Sequence, residues 1–293
     1  MSKKLNFLFE FIEAIRESNI RRVFSEPLGL LGFLLILFLV LIALFASSIA
    51  PYSPSDIDIA NRLAKPSSEH LFGTDNLGRD VFSRLVFGSR IALTVPILTI
   101  SFGIVLAIFF GLIAGYSSER VGNMFLVMFD IIKSFPALLF AMTIIALTGS
   151  NLFVLIIIIG ITRFPAYARL IRAQTLRVKG KEYVVAAKAI GASVFKIMYK
   201  HILPNVIGPI FIQAAMDIPV VITFVAALSF LGLGVPPPTP SWGTMIKTGY
   251  SFIRIAPWMV IYGGIVLIWA TLGFTLFGEA LRDNLDPRLN RQR

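Results

Sequence analysis

The sequence predicts an all-α, polytopic membrane protein with six transmembrane helices and an N-terminal interfacial helix. Three observations carry that prediction. The 293 residues are 56% hydrophobic and only 15% charged, where a soluble domain carries roughly 25% charged residues. Unbroken apolar runs of about 20 residues recur along the chain, long enough to cross a bilayer as helices. Lys and Arg are distributed unevenly between alternate connecting segments, as the positive-inside rule requires. The net charge of +11 is therefore read as a mark of the cytoplasmic face, and no nucleic-acid partner is predicted. The chain has no cysteine, which excludes disulfides, thiolate metal sites and Cys nucleophiles.

The elements follow in order. Residues 1–27 form a cytoplasmic, interfacial segment, in which Leu5, Leu8, Phe9, Ile12 and Ile15 share one face of a helix over 5–15. Glu10, Glu13 and Glu17 precede the first apolar run, which is too long for a cleavable signal. Spans are expected at about 28–50, 90–116, 123–148, 151–168, 206–232 and 257–279. Residues 28–88 are the first span and its outer loop, 89–282 the main membrane core, and 283–293 a cytoplasmic tail. With both termini inside, eighteen Lys and Arg lie on inner segments and six on outer loops, while Arg90, Lys133 and Arg163 lie near or within spans.

Two loops face outward in this topology. Residues 51–88 begin Pro/Ser/Asp-rich and end in a short helix, Leu77 to Phe87. Residues 233–256 contain Pro236-Pro237-Pro238, and consecutive prolines favour extended polyproline geometry. That loop reads as rigid and exposed, with Pro237, Pro238 and Trp242 shaping an outer mouth or meeting an extracytoplasmic partner. The inner loop over about 169–205 reads differently. Lys181 to Ile190 is helix-prone, Gly191 supplies a left-handed stop, and Ser193 caps a second helix, Val194 to His201. Leu203-Pro204 ends it. Ala186 and Ala187 sit near the bend, small enough to let another protein's surface approach the backbone. Glu182 opens the first helix. The bend is expected to dock a soluble motor protein.

Within the spans, Gly103, Ala107, Gly111 and Gly115 recur every four residues, a small-residue face for close helix packing. Asp130 and Lys133 are one helical turn apart. They are either a pore-lining or gating pair or a pair satisfied at the interface with Lys133 snorkelling. Asp217 is read first as a packing or subunit-contact residue and second as a ligand for a substrate ammonium. The chain has no G-x-x-x-x-G-K-[ST] and no HExxH. Gly232-Leu233-Gly234 lacks the strand and third glycine of a dinucleotide fingerprint. His70 and His201 lie on different sides of the membrane and cannot share a metal. No catalytic set assembles on one face. An ion channel or proton-coupled carrier is the alternative of a different class. It would need an intramembrane ionisable relay or paired broken helices, and neither is evident.

The stretch EYVVAAKAIGASVFKIMYKHILPN (182–205) resembles the EAA loop of ABC importer permeases. Ala186, Ala187, Gly191, Leu203 and Pro204 match that motif at its spacing, while Val185 replaces its Glu and His201 stands at its hydrophobic site. Glu182 lies one turn before the replaced position. HLFGTDNLGRDVFSRLVFGSRIAL (70–93), FPAYARLIRAQ (164–174), LSFLGLGVPPPTPSWG (228–243) and EALRDNLDPRL (279–289) are similar to further signatures of dipeptide, oligopeptide and nickel permeases. Val225 stands where many relatives carry a Glu. Together the matches cover most of the chain in order and point to the C-type permease subunit of that family. The resemblance implies a type I importer core in the last five spans, in a bacterial or archaeal cytoplasmic membrane. It implies pairing with a homologous B-type permease subunit, two cytoplasmic ATPase subunits that hold the ATPase activity, and an extracytoplasmic substrate-binding protein. The implied substrates are di- or oligopeptides, with nickel chelate or glutathione as alternatives. The chain itself is expected to be no enzyme and to need no cofactor, and its lipid surroundings are the remaining partner.

Overall fold

A computed structural model describes residues 20–285. Its regular elements are helical, apart from one isolated bridge between Thr74 and Asp80. In chain order they are α1 (Ile20–Ser25), α2 (Pro27–Leu44), α3 (Ala46–Ile49), α4 (Val81–Tyr116), α5 (Glu119–Ser134), α6 (Ala137–Thr148), α7 (Leu152–Lys179), α8 (Glu182–Ala189), α9 (Val194–Ile197), α10 (Leu203–Phe230), α11 (Trp242–Ser251) and α12 (Trp258–Leu285). Short 3₁₀ and π turns lie at Ile59–Asn61 and Met198–Ile202. The interfacial helix expected over 5–15 and the last residues of the tail fall outside the described residues.

Among the described residues five helices are long and apolar enough to cross a membrane unaided, and α5 with α6 pass the same test only as a pair bent by 77°, a broken span or a re-entrant loop. The bend falls at Phe135-Pro136. Proline disfavours the helical conformation in the residue before it, and Phe135 is extended there. The span expected over 123–148 is therefore broken rather than continuous. Other boundaries shift as well. Asp80 caps Ser83 N at 2.7 Å, so α4 starts at Val81 and the separate helix expected over Leu77–Phe87 merges with the second span. The fourth span continues to Lys179, well into the stretch expected as loop. Leu203-Pro204 opens α10 rather than ending a helix, with Pro204 in its first turn, where a missing N–H costs nothing.

The core forms around α4 and α7. The small-residue face of α4 lies on α7 of the same chain. A Cβ built on Gly103 would stand 3.3 Å from Gly160 O, one on Gly111 would be 2.8 Å from Ala168 O, and one on Gly115 would be 2.6 Å from Thr175 Cβ. Close backbone approach is what holds helices together where lipid offers no hydrophobic contrast. Tyr167, Ile171, Ile159 and Leu155 fill the other side of this seam and are fully buried. α2 packs on α12, where Gly32 lets the backbones meet: its Cβ would be 2.5 Å from Phe277 N.

Candidate functional site

The two ends of α7 lead to two different constructions. After Lys179 comes the short helical loop, α8 and α9. Gly191 has φ +79°, the conformation expected of a helix stop. Two bonds close it: Gly191 N donates to Lys188 O at 3.0 Å and Ala192 N to Ala187 O at 3.1 Å. That pair is a Schellman motif, which satisfies carbonyls a helix end leaves free. Ser193 then caps α9 by accepting from Lys196 N at 3.3 Å. Val184, Ala187, Ile197 and Ile202 turn inward and are buried.

The opposite face of the loop is apolar and uncovered. Ile190 is 85% exposed and Phe195 74%, and Val185, Val194 and Tyr199 are exposed beside them. Phe195 and Tyr199 stack with near-parallel rings, centroids 6.2 Å apart. Glu182 and Ala186 are exposed on the same loop, but Ala187 is buried, so only one of the two alanines offers a small surface to a partner. The turn residues were readable in the sequence. The Ile190–Phe195–Tyr199 patch was not singled out, although apolar residues in a charged loop were a signal for it.

At the Leu152 end of α7 lies a lobe built from residues 50–80 and 231–257. It is closed by its own contacts. Asp75 pairs with Arg79 at 2.7 Å, and Asp80 takes His70 Nδ1 at 3.0 Å while capping α4. Trp258 Nε1 donates to Thr74 O at 3.2 Å. Trp242 corrects the reading of an exposed anchor. It is 4% exposed, donates Nε1 to Leu85 O at 3.0 Å, and lies against Gly88, whose Cβ would be 2.7 Å from Trp242 Cδ1. The expected extended loop is also corrected. Pro237-Pro238 is a cis peptide in a turn, and Trp242 opens α11, so the stretch folds back onto α4 and α12. Pro237 and Pro238 themselves remain exposed.

The intramembrane charges are also redistributed. Asp130 pairs with Arg169 on α7, and not with Lys133. Lys133 is exposed and makes no ion pair among the described residues. Asp217 is buried and accepts from Tyr167 Oη at 2.7 Å and Gln213 Nε2 at 3.2 Å. It joins α10 to α7 inside the chain, which favours the packing reading. Neither Tyr167 nor Arg169 was identified as a partner from sequence, because both pairings join residues far apart in the chain.

Comparisons with known proteins agree with this architecture. Residues 107–291 match the family described as the binding-protein-dependent transport system inner membrane component. Residues 17–66 match the N-terminal transmembrane domain of oligopeptide transport permease C. The dipeptide transport system permease protein DppC of Alkalihalophilus pseudofirmus is 38% identical over 90% of this chain and 87% of its own length. The oligopeptide permease OppC of Bacillus subtilis is 34% identical over 91% of this chain and 88% of its own. The glutathione permease GsiD of Pectobacterium atrosepticum is 36% identical over 92% and 90%. Among solved structures, a chain of the MetNI methionine ABC transporter in inward-facing conformations superposes with a TM-score of 0.52. It is 17% identical and covers 68% of this chain and 96% of its own, a likeness of fold.

Proposed function

The chain belongs to the family of binding-protein-dependent transport system inner membrane components, and on that premise we propose that it is the C-type permease subunit of an ABC importer for di- or oligopeptides. It pairs with a homologous B-type permease subunit to enclose the pathway. Two ATPase subunits dock on the α8–α9 loop from the cytoplasm, and an extracytoplasmic binding protein delivers substrate to the lobe at the other end. Both termini lie inside. ATP hydrolysis belongs to the partner subunits. The observation that carries the substrate class is identity of 34–39% over nearly the whole chain to permeases named for dipeptides, di/tripeptides and oligopeptides. Glutathione is a second reading, favoured by the 36% identity to the GsiD permeases, and it is itself a short peptide.

Coupling follows from the loop's construction. The Schellman turn fixes α8 and α9 at a set angle, and the aromatic pair Phe195–Tyr199 gives a partner a rigid apolar anchor. Motion of the ATPases is thereby passed into α10, and alternating access follows by rigid-body rocking. Uptake of peptide into proteoliposomes holding the full complex tests this reading, with ATP inside and a protonophore present. Uptake persists if ATP drives it. Its loss with ATP intact supports a proton-coupled carrier instead. The orientation is tested separately by Phe195→Cys in this cysteine-free chain. Labelling by an impermeant reagent from outside intact cells refutes the inward placement of the loop.

A further inference from the structure

We propose that Arg163 is the intramembrane ligand for the carboxylate of the transported substrate; this rests on the peptide reading above. Arg163 lies within α7, one of the membrane-crossing helices. It is about 17 Å from the Leu152 end at 1.5 Å per residue, close to the middle of a hydrocarbon core about 30 Å thick. A guanidinium at that depth is costly in lipid, so it faces protein or water and needs an anion. No carboxylate among the described residues forms an ion pair with it. Asp217 is instead hydrogen-bonded by Tyr167 and Gln213. Asp130 is taken by Arg169. Arg163 makes no side-chain hydrogen bond or ion pair among the described residues. It is half-buried, so its donors are sheltered but not sealed.

The surroundings suit an anion carried by a peptide. Arg163 lies one turn before Tyr167 on the same face of α7, the face that meets Asp217 and Gln213 of α10 through Tyr167. A planar guanidinium binds a carboxylate through two parallel bonds, and a peptide presents both a terminal carboxylate and amide donors. A phospholipid would meet the same cation only near the headgroups, which a residue at mid-membrane does not reach.

The test uses the complete reconstituted importer with its binding protein. Uptake of a radiolabelled dipeptide is compared with uptake of its C-terminal amide, for wild type, Arg163→Gln and Arg163→Lys. Using one binding protein throughout cancels that protein's own preference. The free-acid to amide ratio should fall about tenfold in Arg163→Gln, the loss expected for a charge-assisted bond, and recover in part in Arg163→Lys. An equal ratio in wild type and Arg163→Gln overturns the inference and leaves the peptide reading standing. Import of neither form by the wild-type complex defeats the peptide reading itself. Arg163→Cys covers a failure of Arg163→Gln to assemble. An aqueous anionic methanethiosulfonate should modify that thiol, and dipeptide should slow the reaction. A thiol that does not react faces lipid or a sealed contact with the partner subunit, and either overturns the inference.

Discussion

The lobe at the Leu152 end of α7 and the loop beyond Lys179 are both connections between membrane helices, yet they are finished in opposite ways. The lobe buries its large aromatics, Trp242 and Trp258, and gives each indole N–H a backbone acceptor. Its buried acids, Asp75 and Asp80, are spent on a cap and on Arg79 and His70. The loop satisfies its backbone just as fully, through the Schellman turn and the Ser193 cap, but leaves Ile190, Phe195 and Tyr199 in the open. Both are closed by hydrogen bonds, and they differ in where their aromatic side chains go. The loop is rigid with its aromatic pair uncovered, whereas the lobe keeps its tryptophans inside while leaving Ile57, Ile59, Leu71 and Ile255 exposed.

The sharpest way to break this contrast is to empty the lobe. Trp242→Ala removes a buried indole and its bond to the Leu85 carbonyl, so it should cost about 3–5 kcal/mol. Thermal unfolding of the purified chain would show it, and a shift no larger than that of a surface substitution would mean that the lobe is held by something else. The loop should behave in the reverse manner. Phe195→Glu should leave unfolding within ~0.5 kcal/mol but weaken ATPase association by about 2 kcal/mol or more, roughly thirtyfold. Co-purification with unchanged stoichiometry at low concentration would remove Phe195 from the contact.

Gly191 sharpens the comparison further, because its turn is strained for any other residue while its surroundings are empty. A Cβ there meets nothing within 4 Å, so Gly191→Ala should cost only the left-handed backbone term, about 1–2 kcal/mol. Gly191→Asn should cost less. Equal losses for the two would point to a clash rather than to backbone conformation. The smallest effect belongs to Asp130. Its pair with Arg169 is largely exposed, so Asp130→Asn should change stability by less than about 1 kcal/mol, and a greater loss would mark the pair as buried in the assembled transporter.

Legibility in the sequence followed the range of the interactions. The spans, the Gly191 stop and the Ser193 cap depend on residues a turn apart, and local pattern sufficed for them. Pro136 announced the break in the third span, because a proline rarely leaves the residue before it helical, but the apolar run on either side masked it. Trp242 was misread because PPPTPSWG looks exposed and extended on its own. Its burial depends on Gly88 and Leu85, far away in the chain, and so does the formation of α11. The partners of Asp130 and Asp217 were hidden for the same reason. Arg169 and Tyr167 are on α7, and nothing local links them to their acids.

The π turn Met198–Ile202 has a mechanical meaning. It joins α9 to α10 with no break, so Val194–Phe230 is one helix of 37 residues, about 55 Å long at 1.5 Å per residue. In the coupling proposed above it would serve as a lever with its short arm in the loop. A tilt of ~5° applied at that arm sweeps the far end through about 5 Å over this length. Pro209 and Pro219 each omit one bond of the ladder, so the shaft yields there first. Leverage and compliance thus belong to the same element, and the angle imposed at Phe195 need not equal the angle delivered at Phe230.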